Sequence, residues 1–437
     1  MKKLFLFIAF AAAWSSLSAA IDMQAHQDSD EGRAAYSTYK YRQKAYYTGN
    51  YRYSQLLIQD GQDLFGSLNA LMGNTSKIAS SAFSYDGLRY AYKSVDRDLN
   101  TTGNIISYYD GSSFAAVWDK GATWNREHTW PQSKGANKDI PMGHDMQSVR
   151  PAKTDINEER GSTAYGESGG FYNPDNISIN NPNYKSTNNG TYRGDCARVI
   201  MYDYIVYGSN GTRKNALFNG QAQLLSKLGK SGVFESLEVL LKWHMQDPPS
   251  LTEMVRNDGG QTYQGNRNPF IDYPEFAIQI FKDNLTTYTV SSNQPMNPNY
   301  QLTTKHGFVT YLYNKEGNGH PAEVTVSGAK GNYDKITGRL TVTNVTGAMK
   351  ITTDTPYELP EDEPDGLWDT TVEKIEYFVS DNILNIKNLT GQAVGVYSID
   401  GQCVYLKTNV TENVQIGLTK GAYLLRVGSA AAKVIVY

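Results

Sequence analysis

Two polar segments near the middle of the sequence contain the residue types that hydrolysis of a phosphodiester needs. Glu127 and His128 are adjacent in the first segment, and Asn157 and Arg160 are three residues apart in the second. Mg²⁺ prefers oxygen ligands and keeps several waters, so Glu127 and Asn157 are a sufficient pair of protein ligands. A neutral imidazole can take a proton from water at pH 7, and an arginine fork can bind a phosphate bidentately. The residues therefore favour metal-assisted hydrolysis, with Arg160 and Arg150 as phosphate-binding candidates.

The elements that carry these residues must bring them to one place. Neighbouring side chains of a regular strand point to opposite faces, so Glu127 and His128 can share a site only at an irregular strand end. Pro131 favours such an end. Further along, Thr154 or Asp155 can cap a helix by accepting a hydrogen bond from a first-turn N–H. Asn157 and Arg160, three residues apart, then lie on one face of this helix.

Several sequence blocks in a fixed order extend this pattern beyond a common Glu-His dipeptide. The blocks are Asn125–Ser133, His144–Met146 with Arg150, Pro151, Asn157 and Arg160, then Arg193–Arg198, Leu241–Pro248 and Gln264–Glu275. Together they resemble the bacterial endonuclease I family of the ββα-metal, or His-Me finger, nucleases. The resemblance covers the chain from about Tyr36 to Lys282.

The resemblance implies specific roles, which are expectations at this point. His128 is similar in position to the family's general base, Glu127 and Asn157 to its metal ligands, and Arg160 to its helix arginine. The implied cofactor is Mg²⁺ or another divalent cation such as Mn²⁺ or Ca²⁺, and the implied substrate is DNA, with RNA also open. Arg126, Arg198 and Arg267 are further candidate substrate contacts. For Arg198 and Arg267 a structural role is the alternative.

Two other histidines in the matched region have alternative interpretations. His144 stands beside Asp145 and is the rival base, although a structural role is favoured because it precedes the second strand. His244 follows an apolar helical run, which predicts a buried or capping histidine. Ser250 and Glu253 have the spacing of a capping box and need no functional role.

The fold class expected is α+β: a His-Me finger nuclease core with added helices, a small all-β domain, and a C-terminal β-sandwich. The basic, apolar and small-residue order of residues 1–20 predicts a cleaved signal peptide. Residues 21–285 are the predicted catalytic domain and 286–355 the small β domain, where alternating strands are expected at 322–327 and 339–345. Residues 356–370 are rich in Pro and acid, which predicts a linker.

The last predicted domain, 371–437, alternates strands around the hairpin signal Asp400-Gly401. It resembles the C-terminal sorting domain of the type IX secretion system in its Gly-Ala-Tyr-Leu-Leu-Arg-Val strand and Lys-Val-Ile-Val ending. The resemblance implies secretion or surface display, with the secretion machinery as partner. Another small immunoglobulin-like module would show similar alternation.

Charge and cysteine content limit the remaining possibilities. A formal net charge of −3 argues against tight binding of nucleic acid through a global positive field, but allows an enzyme that releases its substrate. Cys196 and Cys403 are far apart, so two buried, unpaired thiols are expected. No other stretch has membrane-spanning length, and a monomer is expected. The alternatives are a non-catalytic nucleic-acid-binding or adhesion module at the cell surface, and a secreted phosphatase.

Overall fold

The computed structural model describes residues 30–98, 101–176, 192–208, 225–293, 296–312, 320–354, 376–380, 382–398, 403–427 and 430–436. The predicted signal peptide, the predicted linker and the Asp400-Gly401 turn lie outside these residues. The chain divides into two compact units, Met1–Leu359 and Pro360–Tyr437, and each is described by itself.

The first unit opens with helices and then forms the hairpin that carries the candidate site. The helices are α1 (Asp30–Tyr46), α2 (Tyr53–Leu57), α3 (Gly61–Thr75) and α4 (Tyr85–Val95). Strands β1 (Asn104–Ile106) and β2 (Ser113–Ala115) pair with each other, and β3 (Trp124–His128) pairs antiparallel with β4 (Val149–Lys153). Helix α5 (Thr154–Arg160) follows β4 without a loop. A strand–strand–helix unit therefore joins the two polar segments.

The hairpin and α5 are fixed by buried apolar side chains on both faces of the hairpin. Trp124 on β3, Val149 and Ala152 on β4 and Ile156 on α5 are fully buried. The N-cap position of α5 is Lys153, which has no side-chain cap, but the predicted first-turn hydrogen bond of Asp155 is present: its carboxylate accepts from the Ile156 N–H at 2.9 Å. The Thr154 hydroxyl instead donates to the Gly121 carbonyl at 2.7 Å, which ties the helix start to the loop before β3.

Among the described residues, five more α-helices belong to this part of the first unit: α6 (Arg193–Tyr207), α7 (Leu237–Gln246), α8 (Leu251–Gln264), α9 (Pro269–Asp272) and α10 (Phe276–Phe281). Helix α6 is buried from Gly194 to Tyr207 and forms the centre of this part. Helix α7 begins at Leu237, and the Ser236 hydroxyl caps it by accepting a hydrogen bond from the Val239 N–H. The capping box of Ser250 and Glu253 at the start of α8 is confirmed. Among the described residues, no helix has both the length and the apolar character needed to cross a bilayer.

In the described residues of the first unit, eight strands follow α10: β5 (Tyr288–Ser292), β6 (Met296–Asn297), β7 (Leu302–Thr303), β8 (Val309–Leu312), β9 (Val324–Ser327), β10 (Lys330–Asp334), β11 (Arg339–Thr343) and β12 (Met349–Thr353). They form two sheets, with strand orders β10-β11-β8-β6 and β7-β5-β12-β9. The strands predicted at 322–327 and 339–345 are confirmed as β9 and β11. Buried side chains of the two sheets, such as Leu340 on β11 and Ile351 on β12, belong to the same hydrophobic cluster as Phe65 of α3 and Phe281 of α10. The strands therefore pack on the helices of the first unit through a shared core.

The second unit contains strands β13 (Glu376–Ser380), β14 (Ile383–Lys387), β15 (Gln392–Ser398), β16 (Cys403–Val410), β17 (Val414–Gly417), β18 (Gly421–Val427) and β19 (Ala430–Val436). Two sheets, β13-β14-β17 and β16-β15-β18-β19, enclose their own apolar cluster. Both cysteines are unpaired and Cys196 is buried, as predicted, but Cys403 is exposed. It lies on β16, which pairs only on one side. The helices and strands together give the predicted α+β class.

Candidate active site

The imidazole of His128 is held in one orientation at the end of β3. Its Nε2 lies 2.9 Å from the Gly143 carbonyl oxygen, and its Nδ1 lies 3.4 Å from the Gln132 side-chain amide nitrogen. A carbonyl oxygen only accepts hydrogen bonds, so Nε2 must carry the proton and donate it. Nδ1 is then the unprotonated nitrogen, and this atom can act as a base.

The surroundings of His128 keep it neutral. The side chain is 5% exposed, and the Tyr85 ring of α4 stacks on it with 5.3 Å between ring centroids. Burial lowers the pKa of His128 from 6.5 to about 4; the hydrogen bond to Gly143 opposes this shift, and the Arg160 charge adds to it. The imidazole is therefore unprotonated at neutral pH, as a general base requires.

Glu127 leaves β3 on the other side and points into a buried polar cluster. The Tyr109 hydroxyl donates to its Oε1 at 2.5 Å, and Nη1 of Arg160 lies 3.1 Å from the same oxygen. Burial raises the pKa of Glu127, while the Arg160 charge and the Tyr109 hydrogen bond hold it down. Both contacts fall on Oε1, which leaves Oε2 as the oxygen available to a cation.

Arg160, in the last turn of α5, contacts both Glu127 and His128 at the end of β3. It is 1% exposed, its Nη1 donates to the His128 carbonyl at 2.9 Å, and its Nη2 donates to the Thr129 carbonyl at 2.8 Å. Its guanidinium also lies 4.7 Å from the centre of the Tyr165 ring. The arginine therefore fixes the strand end on which Glu127 and His128 depend, and it does so from the interior.

Asn157 precedes Arg160 by one turn on α5 and is partly buried. Within the part of the chain that the structure describes, no residue forms a hydrogen bond with its side-chain amide. Because residues three apart share a helical face, Asn157 lies on the face that Arg160 turns towards Glu127. A carboxylate oxygen and an amide oxygen are ligands that Mg²⁺ accepts, with waters and phosphate completing an octahedron. The donor set fits such an ion, and no group of three or more His, Cys, Asp or Glu that could hold a metal occurs among the described residues.

Arg150 and the rival base His144 each have contacts of their own. Arg150 is buried on β4, its Nη1 pairs with Asp195 of α6 at 2.8 Å, and its guanidinium lies 4.1 Å from the centre of the Tyr108 ring. His144 ends a short 3₁₀ helix, and its Nδ1 lies 3.1 Å from the Lys138 carbonyl oxygen. This contact ties the loop between β3 and β4 together next to Gly143.

The three arginines expected to contact substrate are placed differently. Arg126 is partly buried beside His128 on the same face of β3 and pairs with Asp86 at 2.9 Å. Arg198 is fully buried and donates to both carboxylate oxygens of Glu253. Arg267 is also fully buried and donates to both oxygens of Asp272. Arg198 and Arg267 therefore form buried ion pairs with Glu253 and Asp272, and they take no part in the function proposed below.

His244 confirms its expected structural role. It is fully buried on α7, and its Nε2 lies 2.8 Å from the Pro274 carbonyl oxygen. Burial lowers the pKa of His244 to about 3, so it stays neutral.

Three residues of the site were not found from the sequence: Tyr109, Tyr85 and Gly143. Tyr109 has a φ of +74°, a left-handed backbone that is rare for an aromatic residue and that often marks functional sites. A Cβ at Gly143 would lie 1.9 Å from the Asn137 carbonyl oxygen, so only glycine fits where the acceptor of His128 must be. Of these three residues, only Gly143 had a signal in the sequence, because it directly precedes the His144–Met146 block before the second strand.

A family model described as Endonuclease I matches residues 67–275, which include the hairpin, α5 and the residues described above. The extracellular ribonuclease of Bacillus amyloliquefaciens is 31% identical over 240 residues, which are 52% of this chain and 77% of that protein. The extracellular ribonuclease of Bacillus subtilis (strain 168) is 30% identical over 204 residues, 45% of this chain and 68% of that protein. The chain belongs to the endonuclease I family. This nuclease accordingly has nucleic acid as its substrate.

Proposed function

We propose that this nuclease is a divalent-metal-dependent endonuclease of the His-Me finger type, with Nδ1 of His128 as general base. The observation that carries the proposal is the hydrogen bond from Nε2 to the Gly143 carbonyl, because it fixes the tautomer in which Nδ1 carries no proton. Burial keeps this nitrogen unprotonated. General-base help of this kind contributes roughly a hundredfold to ten-thousandfold in rate.

The remaining residues prepare the reaction around His128. Water attacks phosphorus, its proton passes to Nδ1, and the bond to the leaving oxygen breaks. Glu127 Oε2 and the Asn157 amide oxygen would hold the cation, Mg²⁺ first, with Mn²⁺ or Ca²⁺ as alternatives. When bound, a divalent cation stabilises the negative charge that develops on the phosphate and the leaving oxygen. Arg160 and Tyr109 hold the Glu127 carboxylate in place from behind.

The proposed substrates are RNA and DNA, cut without sequence preference. RNA comes first because both similar proteins are named ribonucleases. A net charge of −3 suits an enzyme that grips phosphates locally and releases its product. Contacts to phosphates position a nucleic acid but read no sequence.

We propose further that the protein is exported as a monomer and works outside the cell. The predicted signal peptide at 1–20 and the word extracellular in the names of both relatives support export. The seven-stranded second unit is proposed as the type IX sorting domain, with the secretion machinery as its partner. Recovery of the protein in the medium with a new N-terminus near Ala20 supports this route, and retention in the cytoplasm refutes it.

The enzymatic proposal is tested by incubating supercoiled plasmid and a long RNA with the purified full chain and Mg²⁺. We expect cleavage that EDTA stops and that the His128→Ala variant loses. His144→Ala is the matched control, since that ring also contacts a backbone carbonyl in the same loop. If His144→Ala abolishes cleavage and His128→Ala spares it, the base is misassigned. If neither nucleic acid is cut, the binding-module alternative is favoured, and hydrolysis of a phosphomonoester instead favours the phosphatase alternative.

A further inference from the structure

A continuous series of stacked rings and guanidinium groups starts at the catalytic imidazole. Tyr85 stacks on His128, and the Arg126 guanidinium lies 3.7 Å from the centre of the Tyr85 ring. The same guanidinium also lies 4.9 Å from the centre of the Trp118 ring. Both separations between the Arg126 guanidinium and an aromatic ring are within the range of cation–π attraction.

The series continues from Trp118 to the surface of α4. The Arg89 guanidinium lies 5.9 Å from the Trp118 ring and 5.0 Å from the Tyr90 ring. We refer to these five residues as the stacking ladder: Tyr85, Arg126, Trp118, Arg89 and Tyr90. The ladder alternates aromatic rings with cations from the active site to solvent.

The outer end of the ladder is open to solvent. Tyr90 is 65% exposed, and Val117, next to Trp118, is exposed as well. Trp118 is half-buried, and its ring packs edge-on against Trp124 at 4.9 Å, which anchors the ladder on the core. A packing role does not require a large ring at the surface, whereas a binding role does.

One carboxylate holds both cations of the ladder in place. Asp86 Oδ1 lies 2.9 Å from Nη1 of Arg126, and its Oδ2 lies 4.0 Å from Nη2 of Arg89. Asp86 is exposed, and Lys138 also lies close enough to lower its pKa after the two arginines. The positive charges therefore outnumber the single negative charge. The planes of the guanidinium groups are pre-oriented without being neutralised.

We propose that the exposed end of the stacking ladder, the Tyr90 ring with the Arg89 guanidinium beside it, stacks on an unpaired nucleotide of the bound strand, so that single-stranded nucleic acid is the preferred substrate class. This inference rests on the proposed function, since it takes His128 as the base beside the scissile phosphate. Ring faces and guanidinium planes stack on a base only when that base is unpaired and unstacked. A duplex hides the base faces and offers the ladder only its phosphates.

The test measures binding in EDTA, so that no cleavage interferes. Fluorescence anisotropy compares a labelled single strand of about twelve nucleotides, within the usual range of single-strand sites, with a duplex of the same sequence. Tyr90→Ala should weaken single-strand binding by about five- to a hundredfold, which is the usual worth of one stacked base. Tyr90→Phe keeps the ring and should bind like the parent protein.

Two controls separate stacking from charge and from general surface effects. Phe378→Ala removes another exposed ring that has a cation over it, Lys387 at 5.0 Å, but in the second unit, and should change nothing. Tyr90→Ala removes no charge, so the slope of log affinity against log salt should stay constant, whereas Arg89→Ala should reduce it by about 0.7.

The proposal is overturned if Tyr90→Ala binds the single strand as the parent does, or if it loses duplex affinity to the same extent. Because binding is measured without metal, this failure is distinct from failure of the proposed function, which appears as absence of cleavage in Mg²⁺. Cleavage that persists while the stacking results fail leaves the nuclease without this substrate preference.

Discussion

Replacing Arg160 by methionine separates two roles for a residue that a nuclease could use either on its substrate or inside its fold. The guanidinium is 1% exposed, makes hydrogen bonds to two backbone carbonyls, and lies 3.1 Å from Glu127 Oε1. Methionine fills much of the volume but removes the charge, and it leaves Glu127 buried with only the Tyr109 hydrogen bond. We therefore expect Arg160→Met to act first on stability.

The magnitude follows from the burial of the pair. Breaking one side of a buried ion pair costs about 3–5 kcal/mol, because the remaining charge has no partner. At an unfolding entropy of about 2.1 cal/mol/K per residue, one kcal/mol lowers the Tm of the first unit, Met1–Leu359, by about 1.3 °C, so the expected loss is about 4–7 °C. Calorimetry of the full chain measures it, and Arg339→Met, at an exposed position of β11, should change Tm very little.

A double-mutant cycle with Glu127→Gln tests the assigned cause. Once the carboxylate is gone, removal of Arg160 no longer strands a buried charge, so the double variant should recover about 1–3 kcal/mol relative to the sum of the single variants. The reasoning is refuted if Arg160→Met leaves Tm within about 2 °C while cleavage falls a hundredfold. That result would place the guanidinium on the substrate.

The other predictions concern the atoms on which the base and the metal ligand depend. The proposed base works only as neutral His128, whose pKa burial lowers to about 4, so the rate should be flat from pH 7 down to about 5 and fall below that; a rate that already halves near pH 6.5 contradicts this value. The same shift predicts stability fully present above pH 6.5 and lost as pH falls towards 4, because the unfolded chain binds the proton first. Gly143→Ala should reduce kcat roughly ten- to a hundredfold with little change in KM, since its Cβ would displace the carbonyl that orients the base; an unchanged pH–rate profile and kcat would show that the carbonyl is dispensable. Tyr109→Phe removes only the hydroxyl that donates to Glu127, and Mn²⁺ titration by calorimetry should show roughly ten- to a hundredfold weaker binding. Tyr300→Phe, which loses a buried hydroxyl far along the sequence, is its control, and equal Mn²⁺ affinity in both variants would contradict the positioning role.

Much of this protein was determined by local sequence. The strands at 322–327 and 339–345, the capping box at Ser250 and the buried His244 were predicted correctly, because alternation, capping and burial are set by neighbours along the chain. The nuclease family was identified from the resemblance of short ordered blocks around Glu127 and His128, which the family model and the similar ribonucleases support.

Only the tertiary structure decided how those residues are used. Arg198 and Arg267 had the right residue type for phosphate binding, yet long-range packing places each of them against a buried carboxylate. The tautomer of His128 depends on the carbonyl of Gly143, fifteen residues away, and the orientation of Glu127 on Tyr109, eighteen residues away. Neither partner has a local signature. A sequence specifies which groups are present, but hydrogen bonds between distant segments determine which atom of each group is free to react.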